Sequence, residues 1–131
     1  MILIINWYKI AQPDYKKELD KLVAQLKSEY PGLDLFVYIT PTQVEIANIV
    51  VPLEKRNQGI GHKVIKAIQQ FAQKIQLPIV LRPEAEHGKK KKLDNFYRDL
   101  GFIHNKGRNK DYQLSTPFAA SMYWKPKNEL V

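Results

Sequence analysis

At 131 residues, with 44% apolar, 11% aromatic and 26% charged side chains, the chain has the composition of a soluble globular protein, not a disordered one. Its length suits a single domain, residues 1–131, that buries roughly two-thirds of its unfolded surface. It has no cysteine, which excludes disulfides, thiolate zinc sites and a cysteine nucleophile and is compatible with a reducing cytoplasm.

The net charge of +8 is unevenly placed: residues 1–52 hold 5 basic and 6 acidic side chains, residues 53–131 hold 16 and 7. A basic C-terminal half suits an anionic partner, whether an acidic protein, a nucleic-acid-associated one or the phosphates of a cofactor. The apolar opening Met1–Asn6 is too short for a signal peptide core or a membrane span. A cytoplasmic protein with no membrane association is expected, as a monomer or homodimer.

In chain order, Met1–Ile10 is rich in Ile, Leu, Trp and Tyr and reads as a first strand, broken by Gln12-Pro13-Asp14. Tyr15, Leu19, Leu22, Val23 and Leu26 recur at helical spacing and predict an amphipathic helix over Pro13–Tyr30, ended by Pro31-Gly32. Leu35–Thr40 and Gln43–Val51 are β-rich and flank Thr40-Pro41-Thr42, as a hairpin or neighbouring strands. After Pro52 and the polar run Leu53–Gln58 comes a Gly59-Ile60-Gly61 turn. A second helix follows, carrying Ile60, Val64, Ile65, Ile68, Phe71, Ala72 and Ile75 and ending near Gln76. Ile79–Leu81 reads as a short buried strand, and Leu93, Phe96, Tyr97 and Leu100 mark a third helix that Gly101 stops. Phe102-Ile103 starts another strand, and Ala119–Trp124 suits a last one.

The segment with the most chemistry is Arg56-Asn57-Gln58-Gly59-Ile60-Gly61, between a strand and a helix. Glycine lets backbone approach an anion closely, and the free N–H groups of a helix N-terminus point at it with the helix dipole behind them. Tight packing alone also accounts for such a turn. A Walker A loop is excluded because Gly61-His62-Lys63 lacks the metal-binding hydroxyl. A dinucleotide fingerprint fits poorly, since Val64 stands where a small residue belongs and Ile79–Leu81 offers no acidic residue.

The remaining pattern resembles the GNAT acetyltransferase family, whose Arg/Gln-x-x-Gly-x-Gly/Ala signature is matched by Arg56, Gly59 and Gly61. Val51-Pro52-Leu53-Glu54 is similar to that family's lead-in, and Phe96-Tyr97-Arg98-Asp99-Leu100-Gly101-Phe102 to its Phe-Tyr-x-x-x-Gly-Phe element. The likeness spans about Gln43–Phe102 and extends weakly to small phage-type and bacterial members. It implies a GNAT-like α/β domain: a central mixed, mostly antiparallel sheet, one parallel pair around the glycine-turn helix, and helices on both faces. It also implies N-acetyl transfer from acetyl-CoA to a primary amine, on a protein lysine, a protein N-terminus or a small molecule.

By the same resemblance, the pantetheine arm of acetyl-CoA runs along Ile49, Val50 and Val51. The pyrophosphate sits on Arg56, Asn57, Gln58, Gly59, Ile60, Gly61 and His62, with Lys63 and Lys89–Lys92 as contacts for the more distant 3′-phosphate. No metal is implied. Acyl transfer needs a base for the amine, an N–H for the oxyanion and a proton for the leaving thiolate. Val50 or Val51 suits the second task, and Tyr97 the third by its motif. Glu45, 11 residues before Arg56, matches the spacing of the glutamate in the family's histone-acetylating branch. Glu84, Glu86, Asp94, His87, His104 or a water chain stay open as bases, and Tyr97 also suits a core aromatic. Lys90 and Leu93 depart from the family's Asn and Ala at those positions. Two alternatives carry no transfer activity: a nucleic-acid-binding module using Lys106, Arg108 and Lys110, and an inactive acetyl-CoA-binding domain.

Overall fold

The computed structural model describes residues 2–84, 88–114 and 121–128, with side chains from residue 15 onward. Its elements are α1 (Ile2–Glu29), β1 (Asp34–Ile39), β2 (Val44–Val50), α2 (Ile60–Ile75), β3 (Ile79–Leu81), α3 (Lys90–Asp99), β4 (Ile103–His104) and β5 (Met122–Trp124). The five strands form one sheet in the order β1-β2-β3-β5-β4. Among the described residues only β2 and β3 run parallel; the other three pairs are antiparallel. This is the mixed, mostly antiparallel α/β arrangement the motifs imply.

Helix α2 is the crossover that a parallel β2–β3 pair requires. It buries Ile60, Val64, Ile65, Ile68, Phe71 and Ala72, the stripe its period predicts. Burial of these six side chains contributes on the order of 10 kcal/mol before conformational entropy is counted. The helix ends at Gln76, in the left-handed region at φ 58°, against the carbonyls of Ala72 and Gln73. Leu19 and Leu26 of α1, Leu35 and Val37 of β1, Val44 and Ile46 of β2, and Tyr97 of α3 join the same core. On the opposite side of the sheet, Val80 is covered by Leu114 and Tyr123. Around Val80, therefore, the loop containing residues 105–114 closes that face among the described residues, not a helix.

One expected element is corrected. Ile2–Ile10 is not a first strand but part of α1, which continues through Pro13. The alternation in this run is uneven and supplies no clean period of two, and periodicity alone does not separate a short apolar strand from a helix. The observed sheet begins with β1. At the other end, β5 starts at Met122, and the Ala119 end of the expected last strand lies outside the described residues. No helix among the described residues is long and apolar enough to cross a membrane.

Candidate active site

Strand β2 is paired with β3 only through Val44↔Ile79, Glu45↔Val80 and Ile46↔Leu81. Beyond Leu81 the chain turns through Arg82 and Pro83, whereas β2 runs on to Val50. From Ala47 onward, β2 therefore has no β3 partner in the ladder, and its edge lies open on that side. A bulge marks the start of this opening: Val37 pairs with Ile46 and Phe36 with Asn48, so Ala47 is the extra residue. A bulge sharpens the local twist and swings the strand away from its neighbour.

The open edge leads directly to the α2 N-terminus. Asn57 and Gly59 both lie in the left-handed region, at φ 65° and 77°. Gly59 caps the helix, and the first helical backbone bond at this end is Lys63 N–H to the Gly59 carbonyl, 3.1 Å. The N–H groups of Ile60, Gly61 and His62 thus have no acceptor within the helix. Arg56 folds back, its Nε donating to the Val51 carbonyl at 2.9 Å, which ties the turn to the residue that follows β2.

These parts line one cavity of about 640 Å³, closed on its far side by Leu93, Phe96 and Tyr97 of α3. Of the ten residues expected to hold the cofactor, Ile49, Val50, Val51, Arg56, Asn57, Gly59, Ile60, Gly61 and His62 line it. Gln58 does not; it is exposed on the turn. The two glycines have different roles. A Cβ on Gly59 would meet nothing within 4 Å, so the positive φ is what requires glycine there. A Cβ on Gly61 would stand 3.1 Å from the Phe96 ring, so its absence lets α3 pack onto the α2 N-terminus, where the His62 and Phe96 rings meet edge to face at 4.6 Å.

The two residues expected to move protons lie in different surroundings. Tyr97 is buried in α3 and lines the cavity, and burial pushes its hydroxyl up to about 12. Glu45 is buried but does not line this cavity. Its cross-strand partner is Tyr38 on β1, whose hydroxyl donates to the Glu45 carboxylate and is thereby pushed up to about 12. Tyr38 was not singled out from the sequence. A hairpin centred on Pro41-Thr42 sets it opposite Glu45, so the register was a usable signal.

Among the other candidate bases, Glu84 stands at the cavity rim, paired with Arg82. Asp94 and His104 are brought together: the Asp94 carboxylate takes His104 Nε2 on one oxygen and Arg98 Nε, at 2.9 Å, on the other. The His104 hydrogen bond holds the Asp94 carboxyl below the usual carboxylate range, with Arg98 and Lys106 adding to it against desolvation. This group lines a second cavity, about 740 Å³, on the other side of α3. Glu86 and His87 lie outside the described residues. The lysine run is divided: Lys89 and Lys92 line the first cavity, Lys90 and Lys91 the second. Lys63 lines neither. No group of three or more metal-binding side chains occurs among the described residues.

No family model matches the chain, and no curated protein matches it significantly. Among solved structures it is similar to the crystal structure of the anti-CRISPR protein AcrVA5, at 23% identity and a TM-score of 0.54, over 72% of this chain and 90% of that one. A mutant of the toxin AtaT, bound to the C-terminus of the antitoxin AtaR and acetyl-CoA, matches at 14% identity and a TM-score of 0.41, over 71% of this chain and 55% of that one. The first likeness bears on architecture alone. Together with the open β2 edge and the glycine turn, it establishes a GNAT-like α/β fold for this chain.

Proposed function

We propose that the chain binds acetyl-CoA in the first cavity and transfers its acetyl group to a primary amine. The observation that carries this reading is the junction of an unpaired strand edge with a glycine-capped helix N-terminus in one cavity that Tyr97 also lines. A strand edge supplies N–H and C=O groups to an extended amide-bearing arm, and free helix N–H groups supply donors to a pyrophosphate. The cofactor brings an activated thioester, and the protein residues do the rest.

Backbone N–H of Val50 or Val51 receives the charge that develops on the carbonyl oxygen as the amine attacks. The C–N bond forms and the C–S bond breaks; of the two protons an ammonium acceptor loses, the first leaves before attack and the second, released as the amide forms, balances the departing thiolate. With a hydroxyl at about 12, Tyr97 stays protonated at working pH. Against a thiol of ordinary pKa about 8.5, it serves as a hydrogen-bond donor that shares its proton with the departing sulfur; outright ionisation would run uphill. Glu45 is the proposed sink for the first of these protons, the one the ammonium loses before attack, reached from the sheet face Glu45 shares with Tyr38.

Calorimetric titration with acetyl-CoA and thiol release in the presence of a lysine peptide test the reading. At a hundredfold excess over Kd, ligand binding should add about 2.7 kcal/mol of stability, a rise in melting temperature on the order of 10 °C. No heat of binding and no shift in the melt would end it. Binding without thiol release from any amine leaves an inactive acetyl-CoA-binding domain.

A further inference from the structure

The chain carries 21 lysines and arginines, yet neither β1 nor β2 contains one. On the side of the hairpin turned away from the main core stand Asp34, Phe36 and Tyr38 of β1 with Glu45 and Asn48 of β2, while Leu35 and Val37 alternate inward. This face is acidic and aromatic on a basic protein. Phe36 is 58% exposed, and its ring meets that of Tyr38 edge to face at 5.8 Å. Tyr38 in turn is fixed by the Glu45 carboxylate. Asp34 is held across the strands by Asn48, Nδ2 to Oδ2 2.8 Å. The pair Phe36↔Asn48 is also the first beyond the Ala47 bulge, where β2 parts from β3.

An exposed ring carries an apolar face rich in π-electron density, and neighbouring carboxylates set a negative field around it. That combination suits an ammonium on an aliphatic stem: methylenes lie on the ring, and the charge is held by the ring face and the exposed Asp34, with the buried Glu45 adding to the field. Resting on the acyl-transfer reading, we propose that the outer face of the β1–β2 hairpin, with Phe36 at its centre, docks a lysine side chain of a protein acceptor. From there the lysine amine, once it has lost its proton, enters the opening between β2 and β3 from the side opposite the helices. Charge complementarity selects the occupant: an anionic acceptor would meet the exposed Asp34 and, behind Tyr38, the field of the buried Glu45 carboxylate. An open face with an exposed ring also suits a side chain borne on a polypeptide better than an enclosed small molecule.

The test uses the whole chain and a short, otherwise uncharged peptide with a single lysine. Without cofactor, the ring NMR signals of Phe36 and Tyr38 should shift on titration with this peptide and not with its acetyl-lysine form. With saturating acetyl-CoA, Phe36→Ala should raise the peptide KM about 3- to 30-fold with kcat within about twofold, and Phe36→Tyr should restore it. Phe36 is exposed, so its removal leaves the fold intact. Unmoved ring signals, equal shifts with both peptides, or an unchanged KM in Phe36→Ala would overturn the docking face. Loss of acetyl-CoA binding would overturn only the transfer reading, because the cofactor-free titration reads docking separately. If the peptide is not turned over, that titration decides alone.

Discussion

Helix α3 has a cavity on each side, and the two are built from different materials. The first combines an open strand edge, a glycine-capped helix N-terminus and the buried Tyr97, with Lys89 and Lys92 among its lining residues. In the second, the Asp94 carboxylate is already paired, with the Arg98 guanidinium and the His104 ring, beside Lys90, Lys91 and Lys106. By charge alone the second is as inviting to an anion as the first. The difference lies in the backbone: both cavities touch a helix N-terminus, but among the described residues the first joins it to a strand edge that β3 leaves unpaired and to a turn held open by Asn57 and Gly59 in the left-handed region, and fixed dipoles bind without being reorganised. The net charge of a segment is thus a weaker guide to a site than the backbone geometry around it.

The largest effect expected from this contrast is at Tyr97. Tyr97→Phe keeps the ring that packs edge to face on Phe96 at 5.0 Å and on Phe102 at 5.7 Å, and removes only the hydroxyl. Turnover should fall about 10²-fold, the lower end for a positioned proton donor, with acetyl-CoA affinity within about twofold. Because burial holds the hydroxyl near 12, the wild-type rate should show no loss from Tyr97 ionisation below about pH 10. Wild-type turnover in the folded variant would reduce Tyr97 to a core aromatic.

A smaller effect separates the two cavities directly. Charge reversal at Lys89 and Lys92 together should weaken acetyl-CoA binding about fivefold at low salt, and less at high salt, as exposed charges are screened. The same reversal at Lys90 and Lys91 should change it less than about twofold. Isothermal titrations at two ionic strengths measure both. Equal losses in the two double variants would mean that a diffuse field, not the facing of α3, draws the cofactor.

What the sequence made legible follows the same division. The α2 stripe was readable residue by residue, because a helix with one buried face repeats its apolar positions at a fixed period. The glycine turn was readable because Gly59 occupies a conformation few other residues adopt. The stop at Gly101 was readable for the same reason: it lies at φ 91°, with its N–H on the Arg98 carbonyl at 2.9 Å. The start of the chain was not, since β-rich composition without clean alternation fits either state. Nor was the segment after His104. It is organised by one buried side chain, Asn105, whose Nδ2 donates to the Leu114 and Asp111 carbonyls at 2.6 and 3.2 Å and whose Oδ1 accepts from Asp111 N–H at 2.7 Å. An asparagine among polar neighbours carries no local sign of such a role. The division of four consecutive lysines between two cavities was equally hidden, because it depends on which face α3 turns to α2.

The smallest expected effect concerns the second cavity, where the paired charges act on stability. The Asp94 carboxylate bridges its own helix, through Arg98, to strand β4, through His104. Its folded pKa lies below the ordinary value, chiefly through the His104 hydrogen bond, so the folded state favours the ionised form. The sign follows by linkage: its contribution is complete above the unfolded carboxyl value of about 3.9 and is lost as pH falls through the lower folded value. Asp94→Asn should therefore melt slightly below wild type at neutral pH, and the gap should close once the solution is acid enough to protonate Asp94 in the folded protein. Thermal melts of both proteins from pH 7 down to the acid limit of folding measure it. The partners set the size of the gap: the Asp94 side chain is 26% exposed and that of Arg98 60%, so solvent screens much of the attraction and the shift in melting temperature should be modest. A gap that widens in acid would mean that the neutral carboxyl, not the carboxylate, is the form that joins α3 to β4, and the second cavity would then lose the charge pairing that distinguishes it from the first.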